Sequence, residues 1–197
     1  MSFPLIKDSF ISNEECASII QIIERYARGE APYQPRVRTE RRTEIPARLL
    51  LAHGLAPQAA FLKSIRQRCH SEIEKHFNLP HKIYPEFMML QGNYRGDGHV
   101  RHADNCRYDA KLSRWVPNHT PDRIVTCGVY LNECGVDFTG GELVFPGIGK
   151  TVPPRSGLFV AYPSNEHYEH EVPAVQSGAR YSILLWFTAK TDAAEPL

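Results

Sequence analysis

Two hydrophobic periods divide the chain. In FISNEECASIIQIIERYA, Ser12 and Glu15 have the spacing of a capping box. Cys16, Ile19, Ile20, Ile23 and Ala27 then form one apolar stripe at helical spacing. A second helix is expected through PQAAFLKSIRQRCHSEIEKHF, where Phe61, Ile65, Cys69, Ile73 and Phe77 recur every four residues. From about residue 83 the period changes. Short segments rich in β-branched and aromatic residues alternate with turn signals: KIYPEFMMLQGNY, HVRHAD, RIVTCGVYLNE, GELVFPG, GKTVPP, GLFVAYP, HEVPAV and RYSILLWFTA. Turns are expected at 95–98, 139–141 and 177–178. Many short strands following two helices predict an α+β, mostly β chain. The expected architecture is a jelly-roll, a cupin-like double-stranded β-helix, over about 83–190. Helices over about 1–82 support it within a single domain.

Between the helices, YQPRVRTERRTEIPAR (33–48) carries Arg36, Arg38, Arg41, Arg42 and Arg48 with two prolines. The pattern reads as a mobile loop, either a solvated surface or a lid that orders over a bound substrate. Composition narrows the class without naming a partner. The chain has 197 residues, 42% hydrophobic and 23% charged, with a net charge of +1. That balance points to no nucleic-acid surface. No apolar run approaches the roughly 18 residues that would suggest a membrane span. MSFPLIKDSF lacks a basic segment followed by a long apolar stretch, so no signal peptide is expected. Five scattered cysteines without C-x-x-C suggest reduced thiols and a cytoplasmic location.

The chemistry gathers in HVRHADN and far downstream of it. His102 and Asp104 are two apart, so a strand end offers an imidazole and a carboxylate to one point. Alone this is a weak signal. His170, directly before an apolar alternation, would supply a second imidazole; His167 is its rival but lies in a polar turn. Two histidines and one carboxylate make a facial triad for Fe(II) with open coordination positions. Arg180 sits in an apolar strand, on one face with Ser182, Leu184 and Trp186, and Tyr181, Ile183, Leu185 and Phe187 take the other. A buried guanidinium requires an anion. Glu142 or Asp137 could supply it internally; otherwise a small bound acid does. A 2-oxo acid that chelates iron and carries a second carboxylate for Arg180 has the shape of 2-oxoglutarate. O2 is then the co-substrate, and the site would couple decarboxylation of the oxo acid to attack on a C–H bond.

At these residues the chain resembles the prolyl hydroxylases of the Fe(II)/2-oxoglutarate dioxygenase superfamily over roughly 83–190. HADNC, the insert after it, FTGGELVF and LLWFT are similar to leprecan-type prolyl 3-hydroxylases. GHVRHADN, RIVTCGVYLN and the HEV…RYSILLWF run are equally similar to hypoxia-factor prolyl hydroxylases. The resemblance implies His102, Asp104 and His170 as iron ligands, and Arg180 with Tyr130 on the far carboxylate of 2-oxoglutarate. It also implies Tyr94 and Trp186 at the pocket; His99 departs from it, standing at a pocket position where many relatives carry tyrosine. His99, Cys106 and Asp109 are read as bystanders to the ligands. Ascorbate is the reductant such enzymes imply. The implied reaction is hydroxylation of a prolyl residue of a protein or peptide. Alternatives are a free amino acid or small metabolite as substrate, or a metal-binding cupin-like module without activity. A nucleic-acid demethylase would resemble a pattern with a second arginine six residues after the first, where this chain has Trp186. Specificity is expected in 33–48 and in the 105–122 insert.

Overall fold

Two facing antiparallel sheets with helices packed on the outside of the larger one make up the computed structural model, which describes residues 4–31, 33–53 and 55–192. The larger sheet runs β1 (Leu5–Lys7), β12 (Phe159–Pro163), β8 (Arg123–Tyr130), β14 (Ser177–Thr188), β4 (Tyr84–Tyr94), β3 (Arg42–Pro46) and β2 (Val37–Arg38). In addition, β9 (Phe138–Thr139) pairs with the start of β14. The smaller sheet is β11 (Lys150–Val152), β10 (Leu143–Phe145), β13 (His170–Val172) and β5 (His99–His102). A separate hairpin joins β6 (Cys106–Asp109) to β7 (Arg114–Pro117). This is the jelly-roll arrangement that the strand spacing predicts.

The helices form where the periodicity places them. In α1 (Asn13–Ala27), Glu15 N–H donates to Ser12 Oγ at 3.2 Å and Ser12 N–H to Glu15 Oε2 at 2.6 Å, closing the capping box. Cys16, Ile19 and Ile23 are buried on one side. In α3 (Ala56–His76), Ile65, Cys69 and Ile73 have no more than 0% exposure and Phe77 follows at 5%. These stripes meet Tyr181, Ile183, Leu185 and Phe187 of β14 in one apolar cluster. A second cluster lies between the sheets, built from Tyr130, Val160 and Tyr162 on one side and Leu143, Phe145, Val152 and Val172 on the other. The period-two division of β14 therefore separates a helix-facing core from the space between the sheets, where Arg180, Leu184 and Trp186 point.

Several elements differ from the sequence reading. The first 82 residues are not purely helical: β1, β2 and β3 lie there and all join the larger sheet, and a short helix α2 (Ala47–Ala52) follows β3. The arginine-rich segment is not all loop: it holds β2 and β3. β3 pairs with β4 in register from Arg42↔Asn93 to Pro46↔Met89, and Thr43, Glu44, Ile45, Pro46 and Ala47 are buried. Three of its arginines have partners. Arg42 pairs with Asp97, Arg36 lies 3.9 Å from Glu44, and Arg36 and Arg48 both stack on the Phe87 ring at 5.8 and 5.7 Å. Residues 177–178 are strand, paired with β9, and not a turn.

Gly98 sets the approach of β5 to β13. A Cβ there would lie 2.5 Å from Val172 O and 3.0 Å from Ala174 N, both backbone atoms with no side chain to swing aside. Gly98→Ala is expected to destabilise by about 1–3 kcal/mol. In a chain of this size that lowers Tm by about 2–4 °C per kcal/mol, which a thermal melt reads directly. An unchanged Tm would mean that β5 can shift away freely.

Candidate active site

β5 and β13 bring the downstream histidine to the upstream pair. His170 is the cross-strand partner of His102, and their rings are 4.4 Å apart between centroids. Asp104 follows just beyond the end of β5. His102 Nε2 is 4.0 Å from Asp104 Oδ1, and His170 Nε2 is 3.7 Å from Asp104 Oδ2. One ligand atom from each of the three lies within 4.8 Å of the others. Each imidazole is oriented by its other nitrogen. His102 Nδ1 donates to Val100 O at 2.7 Å and His170 Nδ1 to Tyr168 O at 3.0 Å. Both rings therefore carry the proton on Nδ1 and turn the Nε2 lone pair to the shared centre. His170 is buried and its rival His167 is exposed on the preceding turn.

The carboxylate is held from both sides. Thr126 Oγ donates to Asp104 Oδ2 at 2.8 Å and Trp186 Nε1 to Oδ1 at 3.0 Å. Ser164 Oγ is 2.9 Å from Thr126 Oγ. The main-chain carbonyl of Asp104 accepts from Asn118 Nδ2 and Thr120 Oγ, so the insert after the motif anchors the same residue. Burial works against the Asp104 charge, but the neighbouring His170 and the Thr126 hydroxyl prevail and hold the carboxyl below the usual range. Burial likewise pushes His170 down, against the pull of Asp104. A neutral imidazole pair and an ionised carboxylate are the states a metal requires. The chemistry of this donor set, two nitrogens and one hard oxygen on one side, fits Fe(II) with positions to spare.

Arg180 lines the same pocket. It is 2% exposed. Among the described residues no carboxylate forms an ion pair with it. Glu142 accepts instead from Cys134 Sγ and Asp137 from Glu133 N–H, so neither internal candidate is the partner. Its contacts are Asn93 Oδ1, 2.9 Å from Nη1, and the Tyr130 ring, 5.0 Å below the guanidinium. Arg180 Nε, His99 Nε2 and Gln91 Oε1 are buried without a hydrogen-bond partner, and all three residues line the pocket. A buried guanidinium with an unpartnered Nε and no carboxylate paired to it among the described residues is the signature of a site built for an anion. A small dicarboxylate fits it. Burial raises the Tyr130 hydroxyl above its ordinary range, against the Arg180 charge, and keeps it a donor.

The other expectations divide. Trp186 and His99 line the pocket; burial, with help from the Arg42 charge, pushes the His99 imidazole down to about 4. Tyr94 does not. It sits on the opposite face of β4, edge-on to Tyr181, with its hydroxyl 3.4 Å from Glu24 of α1. The parity of the strand is the reason: Gln91 and Asn93 face the sheet interior, so Tyr94 turns to the helices. Cys106 is a buried thiol near Glu166, outside the triad. Thr126, Tyr162 and Ser164 join the site without a motif to mark them, although Thr126 shares a face of β8 with Tyr130 by period two. The Tyr162 hydroxyl donates to His170 Nε2 at 3.2 Å.

The sequence also matches proteins of known kind. The profile of the 2OG-Fe(II) oxygenase superfamily matches residues 88–188. Prolyl 3-hydroxylase 2 of Gallus gallus is 28% identical over 209 residues, covering 93% of this chain and 30% of its own length. Prolyl 3-hydroxylase 1 of Homo sapiens is 29% identical, covering 93% of this chain and 28% of its own. This chain thus spans about 30% of the length of these relatives. In three dimensions it is similar to the viral collagen prolyl hydroxylase of Paramecium Bursaria Chlorella virus-1 in its 2OG complex. The TM-score is 0.68 at 15% identity, covering 96% of this chain and 97% of that one. A prolyl hydroxylase from Trichoplax adhaerens, solved with a hypoxia inducible factor oxygen degradation domain peptide fragment, gives 0.64 at 18% identity, covering 96% and 85%. These structural likenesses establish the fold.

Proposed function

This chain belongs to the 2OG-Fe(II) oxygenase superfamily, and we propose that it hydroxylates a prolyl residue of a protein or peptide, with His102, Asp104 and His170 holding the iron and Arg180 the far carboxylate of 2-oxoglutarate. As a member it is a dioxygenase that uses Fe(II), 2-oxoglutarate and O2. When bound, iron and the oxo acid supply the oxidising chemistry: the oxo acid becomes succinate and CO2, and one oxygen atom enters the substrate C–H bond. The single observation that carries the residue assignment is the convergence of the triad beside a buried arginine that has no ion-pair partner among the described residues, all in one pocket.

The remaining parts of the assignment follow from contacts. The Nδ1 hydrogen bonds fix both imidazoles in the tautomer that puts the lone pair on Nε2; at His170 a metal would take the place of the hydrogen bond from the Tyr162 hydroxyl. Thr126 and Trp186 orient the carboxylate. Tyr130 backs the guanidinium and serves as the second donor to the ligand carboxylate. Leu143, Val172 and Leu184 give the pocket an apolar wall that limits water. The prolyl substrate is supported by the prolyl 3-hydroxylase relatives. Five free thiols support a reducing, cytoplasmic setting. The same reading takes ascorbate as reductant.

The substrate is tested by incubating the protein with Fe(II), 2-oxoglutarate, ascorbate and a library of proline-containing peptides, with mass spectrometry of the products. The expected result is one added oxygen, localised to proline by fragmentation and absent without 2-oxoglutarate. Oxygen added only to free amino acids or to other side chains would overturn the prolyl assignment.

A further inference from the structure

Asn93, Asp97 and Arg42 stand behind Arg180, outside the residues assigned to iron or cosubstrate. Arg42 grips the Asp97 carboxylate as a fork, Nη2 to Oδ1 at 2.6 Å and Nε to Oδ2 at 2.8 Å. Asp97 Oδ2 also accepts from Asn93 Nδ2 at 2.6 Å. At its other end, Asn93 Oδ1 accepts from Arg180 Nη1 at 2.9 Å. Asn93 is 1% exposed and Asp97 9%, so water does not substitute for these partners. Arg42 and Asn93 are register partners on β3 and β4, which fixes the spacing. Arg42 Nη2 further donates to Gly98 O at 3.1 Å, and Glu44 lies 3.5 Å from Nη1.

We propose that Arg42, Asp97 and Asn93 are positioning residues that aim Arg180 while leaving its charge available to a ligand carboxylate; this rests on the role of Arg180 given above. The direction of the relay follows from donor and acceptor chemistry. An ionised carboxylate only accepts, so Asp97 requires the NH2 end of the Asn93 amide. That leaves the amide oxygen for Arg180, which only donates. The reversed amide would set donor against donor at Arg180 and acceptor against acceptor at Asp97. Charge is partitioned by the same arrangement. Arg42 takes up the negative charge of Asp97, and the bond to Arg180 comes from a neutral amide. Arg180 is therefore held in place without being neutralised. The directions of the side-chain pKa shifts agree: the hydrogen bond that Arg42 donates to Asp97 raises Arg42, and Asp97 lies below its ordinary range although burial opposes this.

A carboxylate in place of the Asn93 amide is nearly isosteric and would supply the missing anion itself. Asn93→Asp separates charge from shape. The measurement is equilibrium binding of 2-oxoglutarate and of 2-oxopentanoate, the same chain without the distal carboxylate, to protein loaded anaerobically with Fe(II). Wild type is expected to prefer 2-oxoglutarate. In Asn93→Asp the affinity for 2-oxoglutarate should fall by at least about tenfold, while 2-oxopentanoate binds as before. Asp97→Asn should also erode the preference, because the direction of the Asn93 amide is no longer dictated; it carries the test if Asn93→Asp does not fold. Equal losses for both ligands, or no loss for either, would overturn the relay. A wild type without preference for 2-oxoglutarate would overturn the Arg180 assignment, and the relay with it.

Discussion

Asp104→Ala is expected to abolish tight Fe(II) binding. The carboxylate is the one anionic donor of the triad, and its loss leaves two neutral imidazoles. Removing an outer-shell partner of a metal site already weakens affinity by about 10- to 100-fold, and removing a ligand should exceed that. Thr126 Oγ and Trp186 Nε1 would lose their acceptor in a buried setting. Each such loss costs about 1–3 kcal/mol, so a modest drop in Tm should accompany the effect. Anaerobic titration with Fe(II) reads the affinity. A paired control uses the two downstream histidines: His170→Ala should behave like Asp104→Ala, and His167→Ala, at an exposed position, like wild type. Retained affinity in Asp104→Ala, or loss in His167→Ala, would reassign the site.

Arg180→Ala should separate cosubstrate from metal. Charge-assisted hydrogen bonds are worth about 1.5–3 kcal/mol, which corresponds to roughly ten- to a hundredfold in 2-oxoglutarate affinity. Fe(II) affinity should stay close to wild type, because no triad residue is hydrogen-bonded to the guanidinium. Arg180→Lys keeps a charge but not the planar fork, and it should recover only part of the loss. The readout is the ratio of 2-oxoglutarate and Fe(II) dissociation constants across the three proteins. Loss of both affinities together would give Arg180 a structural role only.

The parts of the site that were legible in the sequence are those set by local spacing. His102 and Asp104 are two apart, and His170 and Arg180 lie on strands whose apolar alternation fixes which way each side chain points. The period-two alternation of β14 places Arg180 and Trp186 on one face, and both line the pocket. The same alternation governs Tyr94. Gln91 and Asn93 are polar residues two apart in an apolar strand, and that parity already turns Tyr94 away from the pocket. The strands within the arginine-rich segment escape the sequence pattern for a different reason. Charge density says nothing about partners, and Asp97 lies 55 residues from Arg42. Only the pairing of β3 with β4 brings them together. β1, β2 and β9 are two or three residues long and acquire strand character from the sheet they join. The hydrogen bonds that hold Asp104 also come from distant strands, and so they had no local signal.

The account is tested most directly by a crystal structure of the wild-type protein grown anaerobically with Fe(II) and 2-oxoglutarate. It predicts one metal ion bound by His102 Nε2, Asp104 and His170 Nε2, with the oxo acid on the same ion and its far carboxylate on Arg180. A metal held by other residues, or the far carboxylate lying away from Arg180, would contradict it.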